Sequence, residues 1–187
     1  MKTYTIIAGV NGVGKSSLTG VLRGSEVPLG RIVDVDRITA NCGGDKIRGG
    51  KRAIEMIEDC MQRGLSFTQE TTLAGKRTAK TAARARELGY EIRLYYVGLD
   101  SSDESLQRIA NRVRKGGHNI ASEDVKRRFE SRFDDLFAVL PYCDSAQFYD
   151  NDNGFVLVGE YLDGEMRVFV NPPAWMQQLS ERWNEQE

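Results

Sequence analysis

The sequence predicts a doubly wound α/β fold: a mostly parallel sheet of about five strands wrapped by helices, with a β-hairpin and a helix at the C-terminal end. Three observations predict it. Short apolar runs alternate with helix-like segments, a glycine-rich turn joins the first run to the first helix, and Asp163-Gly164 separates two late strand-like runs. The 187 residues, 40% hydrophobic and 28% charged, suit a single domain over residues 1–187 with a substantial core.

The elements follow in order. Thr3–Ala8 is a buried first strand, and a helix from about Lys15 to Leu22 ends near Gly24. Arg31–Val35 is a short second strand. Arg37–Gly50, rich in glycine, is expected to be irregular, and helical spacing returns over Lys51–Arg63 with Ile54, Ile57 and Met61 on one face. Gly64 closes that helix, and Leu65–Gln69 is a third strand. Gly75–Leu88 is a helix stopped by Gly89, and Tyr90–Leu99 is the strongest strand signal in the chain. Ser102–Arg114 and Ser122–Leu140 are helices, the second with Ser122 as its cap and Glu123 and Asp124 in its first turn. Cys143–Tyr149 is a fifth strand. Phe155–Leu162 and Glu165–Val170 form the hairpin, and Asn171-Pro172-Pro173 opens the last helix.

Bulk properties exclude several function classes. A formal net charge of −1 argues against a general nucleic-acid binder, which needs clustered cationic excess. Cys42, Cys60 and Cys143 are odd in number and widely spaced, fitting neither a disulfide framework nor a zinc site, so a reducing cytoplasm is the expected setting. The N-terminal apolar run is too short for a signal peptide, and no stretch approaches the ~20 apolar residues of a membrane span.

The chemistry starts at Gly9-Val10-Asn11-Gly12-Val13-Gly14-Lys15-Ser16, which fits G-x-x-x-x-G-K-[ST] without a mismatch between an apolar strand and a helix. Glycines let such a loop wind tightly, so that successive N–H groups and the helix N-terminus face phosphate. Residues Gly9 and Asn11 through Ser17 are therefore the expected nucleotide-binding set, for ATP or GTP. Lys15 supplies a mobile charge at the β- and γ-phosphates, and the Ser16 hydroxyl is the expected Mg²⁺ ligand. The fold class narrows to a P-loop fold.

Absent motifs narrow the kind. No guanine-reading Asn/Thr-Lys-x-Asp segment follows a strand, no Ser-Gly-Gly transporter signature is present, and Asp103-Glu104 follows serines rather than an apolar strand. A small kinase remains, and three segments suit it. Asp36, just after the second strand, faces the ligand side of an open α/β sheet and suits the base that receives a hydroxyl proton, while a helix cap or a magnesium ligand also fits. Glu70-Thr71-Thr72 could hydrogen-bond a hydroxylated acceptor, and equally matches an ordinary turn. The basic run of Arg108, Arg112, Arg114 and Lys115, then Lys126, Arg127, Arg128 and Arg132, flanks Gly116-Gly117-His118. It suits a lid over about 108–128 that lowers arginines onto the transferring phosphate, or else a solvated helix face. His118 is either a phosphate contact in that lid or an idle surface residue.

These stretches, together with Leu94-Tyr95-Tyr96-Val97-Gly98-Leu99-Asp100, resemble the zeta-toxin family of P-loop kinases over about residues 3–150, and in particular its short bacterial branch. The resemblance implies transfer of the ATP γ-phosphate to a sugar hydroxyl of UDP-N-acetylglucosamine or a related UDP-amino sugar, and an antitoxin protein that blocks the nucleotide site. By position it implies Asp36 as catalytic base, Lys15 as phosphate lysine, Glu70 with Thr71 and Thr72 as substrate contacts, and Arg112 as a lid arginine. The second lid group would fall near His118, with Arg127 and Arg128 further on. The expectation is thus a Mg-ATP-dependent kinase for a small hydroxylated acceptor, with no nucleic-acid or membrane partner. Two rivals are a nucleotide-dependent ATPase or switch acting through a protein partner, and a nucleoside or antibiotic phosphotransferase.

Overall fold

The structure, a computed structural model, describes residues 1–117 and 119–185. Five strands run parallel: β1 (Thr3–Ala8), β2 (Arg31–Asp34), β3 (Phe67–Thr71), β4 (Glu91–Gly98) and β5 (Ser145–Asp150). The hairpin β6 (Val156–Leu162) and β7 (Glu165–Val168) continues the same sheet antiparallel, giving the order β2-β3-β1-β4-β5-β6-β7. Asp163 and Gly164 carry φ of 52° and 89°, the two positive angles that a twist-matched two-residue hairpin turn requires.

Side chains alternate across the sheet, so each strand feeds two cores. Tyr4, Ile6 and Ala8 of β1, with Ile92, Leu94 and Tyr96 of β4, face one layer of helices. That layer is α3 (Lys46–Arg63), α4 (Arg77–Glu87), α7 (Arg132–Phe137) and α8 (Ala174–Asn184). Ile7, Tyr95 and Val97 face the opposite side, where α1 (Lys15–Gly24) buries Leu18 and Leu22. The last helix is integral to the core: Trp175, Met176 and Leu179 of α8 are buried in the larger cluster.

The structure corrects several boundaries. Arg37–Gly50 is mostly helical: α2 (Val35–Asn41) starts directly after β2, and α3 starts at Lys46 behind the cap Asp45, which accepts from the amides of Ile47 and Arg48 at 3.0 Å each. Gly49-Gly50 reads as a breaker in the sequence, but Gly49 lies where α2 crosses α3, and an added Cβ there would sit 2.6 Å from Thr39 Cα. The third strand runs two residues later than expected, because its pairing with β1 extends through Ala8 opposite Thr71. The expected helix over Ser122–Leu140 is two helices, α6 (Ser122–Glu130) and α7, divided at Ser131. The division lets α6 reach the glycine-rich loop while Phe133, Leu136 and Phe137 of α7 enter the core. Ser122 is the first helical residue rather than the cap, and Ala121 takes the cap position without a side-chain bond. The strand β1 and the helix α5 (Ser102–Arg114) have the bounds that their patterns predict.

Candidate active site

At the carboxyl ends of β1, β2 and β3 lies a cavity of about 420 Å³. The glycine-rich loop floors it with Asn11, Gly12, Gly14, Lys15, Ser16 and Ser17. Gly14, the residue before α1, has φ of 102°, so an L side chain would be strained where the loop enters the helix. Lys15 Nζ donates to the carbonyls of Gly9 at 2.9 Å and Val10 at 3.1 Å, folding the side chain back across the loop. Burial pushes the Lys15 ammonium down to about 8 and Arg112 adds to this, while the carboxylates of Asp36, Glu70 and Asp34 oppose it.

The second wall comes from the acidic strand ends. Register puts Glu70 of β3 opposite Ile7 of β1 and opposite Asp34 of β2. Glu70 is buried, and its two oxygens accept from Ser16 Oγ at 2.7 Å and from Thr19 Oγ1 at 2.6 Å. The carboxylate is therefore turned toward the loop and α1. Ser16 with Glu70 is an oxygen-only donor pair, the chemistry of a Mg²⁺ that keeps most of its shell from phosphate and water, so these residues fit that ion. Among the described residues no group of three or more His, Cys, Asp and Glu could hold a metal by itself. Thr72 lines the cavity beside Thr71, whose hydroxyl accepts from the Leu73 amide at 3.0 Å and stabilises the turn after β3.

Asp36 stands in the first turn of α2, exposed to the cavity. The cap of that helix is Asp34, whose Oδ1 accepts from the Arg37 amide at 3.1 Å. A capping role therefore belongs to Asp34 and not to Asp36.

The third wall is basic. Arg108 and Arg112 of α5 and Arg128 of α6 line the cavity, as the (i, i+4) spacing of the first two allows. Both helices are fastened to Asn11: Ser105 Oγ donates to its carbonyl, and Arg128 Nη1 donates to its side-chain oxygen at 2.9 Å. The other basic residues serve elsewhere. Arg127 pairs with Asp124 at 2.6 Å, Arg114 bonds Asn111, and Arg132 lies over the Phe129 and Phe133 rings at 3.8 and 4.1 Å. His118 lies outside the described residues.

One cavity thus gathers Asn11, Gly12, Gly14, Lys15, Ser16, Ser17, Asp36, Glu70, Thr71, Thr72, Arg112 and Arg128. Gly9 and Val13 belong to the loop without lining it. Sequence reasoning missed Asp34 and Thr19. Thr19 had a faint signal in its spacing of four from Lys15.

Asp36 and Arg128 also line a second cavity, of about 220 Å³, between α2, the start of α3 and α6. Val35, Ala40, Gly44 and Ile120 give it an apolar side, and Lys46 and Asp124 a charged one.

Comparison with known proteins agrees with this architecture. An uncharacterized protein of Haemophilus influenzae is 30% identical over 126 residues, covering 65% of this chain and 88% of the relative. The fold is similar to a structure of the PezAT chromosomal toxin–antitoxin system of Streptococcus pneumoniae, with TM-score 0.68, 16% identity, all of this chain and 87% of that one. It is also similar to AvrRxo1-ORF1:AvrRxo1-ORF2 with ATP, with TM-score 0.66 and 14% identity over 96% of this chain; the match spans 64% of that protein's chain. The family described as zeta toxin matches residues 49–153, from the middle of the α2–α3 region to the turn after β5. The chain belongs to the zeta toxin family.

Proposed function

We propose that the protein is an ATP-dependent kinase that transfers the γ-phosphate to a hydroxyl of a small acceptor, with a UDP-amino sugar such as UDP-N-acetylglucosamine as the leading candidate. The observation that carries this reading is the sharing of Asp36 and Arg128 between two adjoining cavities. A phosphoryl group passing between nucleotide and acceptor must cross such a boundary. In-line transfer needs a proton acceptor on the acceptor's side and positive charge at the boundary. Family membership, and the ATP in the similar AvrRxo1-ORF1:AvrRxo1-ORF2 structure, support the same reading.

The residues then take the following roles. The loop amides and Lys15 bind the β- and γ-phosphates. Ser16, whose hydroxyl donates to Glu70, would hold Mg²⁺, and the ion would supply positive charge against the phosphates. The acceptor hydroxyl attacks the γ-phosphorus, the bond to the β-phosphate oxygen breaks, ADP leaves, and the hydroxyl proton passes to Asp36. Arg112 and Arg128 meet the charge on the equatorial oxygens, with Arg128 positioned by Asn11. Thr71 and Thr72 reach the acceptor from the end of β3, while Glu70, expected as an acceptor contact, serves the nucleotide side through its bonds with Ser16 and Thr19. An antitoxin covering the nucleotide site is the proposed protein partner, in keeping with the toxin–antitoxin assembly among the similar structures. Three unpaired cysteines favour the cytoplasm as the setting.

The test is incubation of the protein with Mg-ATP and UDP-N-acetylglucosamine, then with a panel of nucleosides, antibiotics and other UDP-sugars, read by mass spectrometry. A product heavier by one phosphate, absent with Asp36→Asn, is expected. ADP formation stimulated by a protein partner, with no phosphorylated small molecule, would refute the kinase reading in favour of a nucleotide switch.

A further inference from the structure

We propose that Asn151 is a positioning residue of the nucleotide site: from the β5–β6 turn it clamps the glycine-rich loop in the form that presents its amides to phosphate. The inference rests on the reading of that loop as a phosphate site.

Asn151 Nδ2 donates to the Val13 carbonyl at 2.9 Å, and the donor lies so close beneath the loop that a Cβ on Gly14 would sit 2.5 Å from it. A trans peptide points its C=O and its N–H in opposite directions. Holding the Val13 carbonyl toward the turn therefore turns the Gly14 N–H away from it, toward the concave side of the loop. Gly14, with φ of 102°, has little intrinsic preference for that one orientation, so an outside bond must select it.

The turn is itself anchored on three sides. The Asn151 carbonyl accepts from Arg108 Nη2 at 2.7 Å, which ties it to an arginine of the cavity wall. Asp150, the preceding residue, accepts from Trp175 Nε1 at 2.9 Å and from the Asp152 amide at 3.2 Å. The ring of Phe155 packs on the cluster that includes Val10, Val13 and Leu18. Trp175 in turn is buried in the main core, so the chain Trp175–Asp150–Asn151–Val13 links the C-terminal helix to the phosphate loop.

The experiment compares Asn151→Asp, Asn151→Ala and Lys15→Ala with wild type, using Mg-ATP calorimetry and the NMR shift of the Gly14 amide. Asn151→Asp keeps the shape but sets a carboxylate against the Val13 carbonyl, so ATP affinity should fall about tenfold or more; Asn151→Ala loses one bond, about 3–10-fold. Wild-type protein should show a downfield Gly14 shift on adding ATP, and both Asn151 variants should lose it. Wild-type affinity in both variants, or weakened binding with the Gly14 shift intact, overturns the clamp whatever the melting temperature does. Lys15→Ala separates the two readings. Loss of ATP binding there with unchanged Asn151 variants refutes the clamp alone. Undiminished ATP binding in Lys15→Ala refutes the phosphate-loop reading and the clamp with it.

Discussion

Replacing Gly49 by alanine places a methyl group at the crossing of α2 and α3, 13 residues along the chain from the proposed base Asp36. The added carbon would lie 2.1 Å from Thr39 Oγ1, 2.6 Å from Thr39 Cα and 2.8 Å from Thr39 Cβ. Backbone cannot rotate away as a side-chain tip can. Ordinary contact between carbons begins at about 3.5 Å, so the helices must part by roughly 1 Å. Overpacking of this kind costs about 1–3 kcal/mol. In a chain of this length each kcal/mol lowers the melting temperature by about 2–4 °C. Asp36 stands one turn before Thr39 on the short helix α2, so the displacement reaches it directly. A misplacement near 1 Å at a catalytic group can cost about 10²-fold in rate. ATP binding should be spared, because α1 and the loop pack on the other face of the sheet. The neighbouring Gly50 is the control: a Cβ there meets nothing within 4 Å, and alanine should stabilise the helix by about 0.5–1 kcal/mol without changing turnover. The assay is phosphoryl transfer to the acceptor, with ATP affinity by calorimetry and stability by urea unfolding. Turnover of Gly49→Ala within threefold of wild type, while Asp36→Asn is inactive, would refute this account of how α2 is held.

Other perturbations follow from the same geometry. Asp36→Asn should leave ATP affinity and melting temperature near wild type, since Asp34 is the cap, and lower turnover by roughly 10²–10⁴-fold; retained turnover would end the catalytic-base reading. Arg112→Ala should reduce turnover by about 10²-fold or more with ATP affinity changed far less, because a lid arginine meets charge that develops in the transition state, and equal losses in both would refute that role. The pH dependence of binding comes from Lys15, held down to about 8 by burial in the free protein. Below that value the ammonium is already charged; above it a neutral amine must take up a proton to pair with phosphate. ATP affinity should therefore fall as pH rises past 8, by up to about tenfold per unit, with proton uptake visible in calorimetry across buffers of different ionisation enthalpy. Flat affinity between pH 7 and 9.5 would contradict this.

What could be read from the chain alone is whatever depends on local sequence. The loop Gly9–Ser16 is contiguous, its chemistry is carried by residue types at fixed spacing, and the strand before it and helix after it follow from apolar pattern. Helix α5 shows its bounds because Ser101 caps it, accepting from the Glu104 amide at 3.2 Å, and acidic residues fill its first turn. Asp163-Gly164 marks its turn because the backbone angles there suit few other pairs. The region from Arg37 to Gly50 is not legible in the sequence, for the opposite reason. Gly49 looks like a helix breaker by propensity, and only the approach of Thr39, a contact made in three dimensions, shows why glycine is needed inside a helix. Tertiary structure likewise turned Glu70 toward Ser16 and Thr19, gave the cap of α2 to Asp34, and tied Arg128 to Asn11 across 117 positions. Asn151 is the clearest case: an asparagine in a polar turn has no periodicity or motif, and its bond to Val13 spans 138 residues. Local propensities determine which elements form, but parallel pairing of distant strands determines which loops meet at their carboxyl ends, and that pairing is settled by packing rather than by neighbours in sequence.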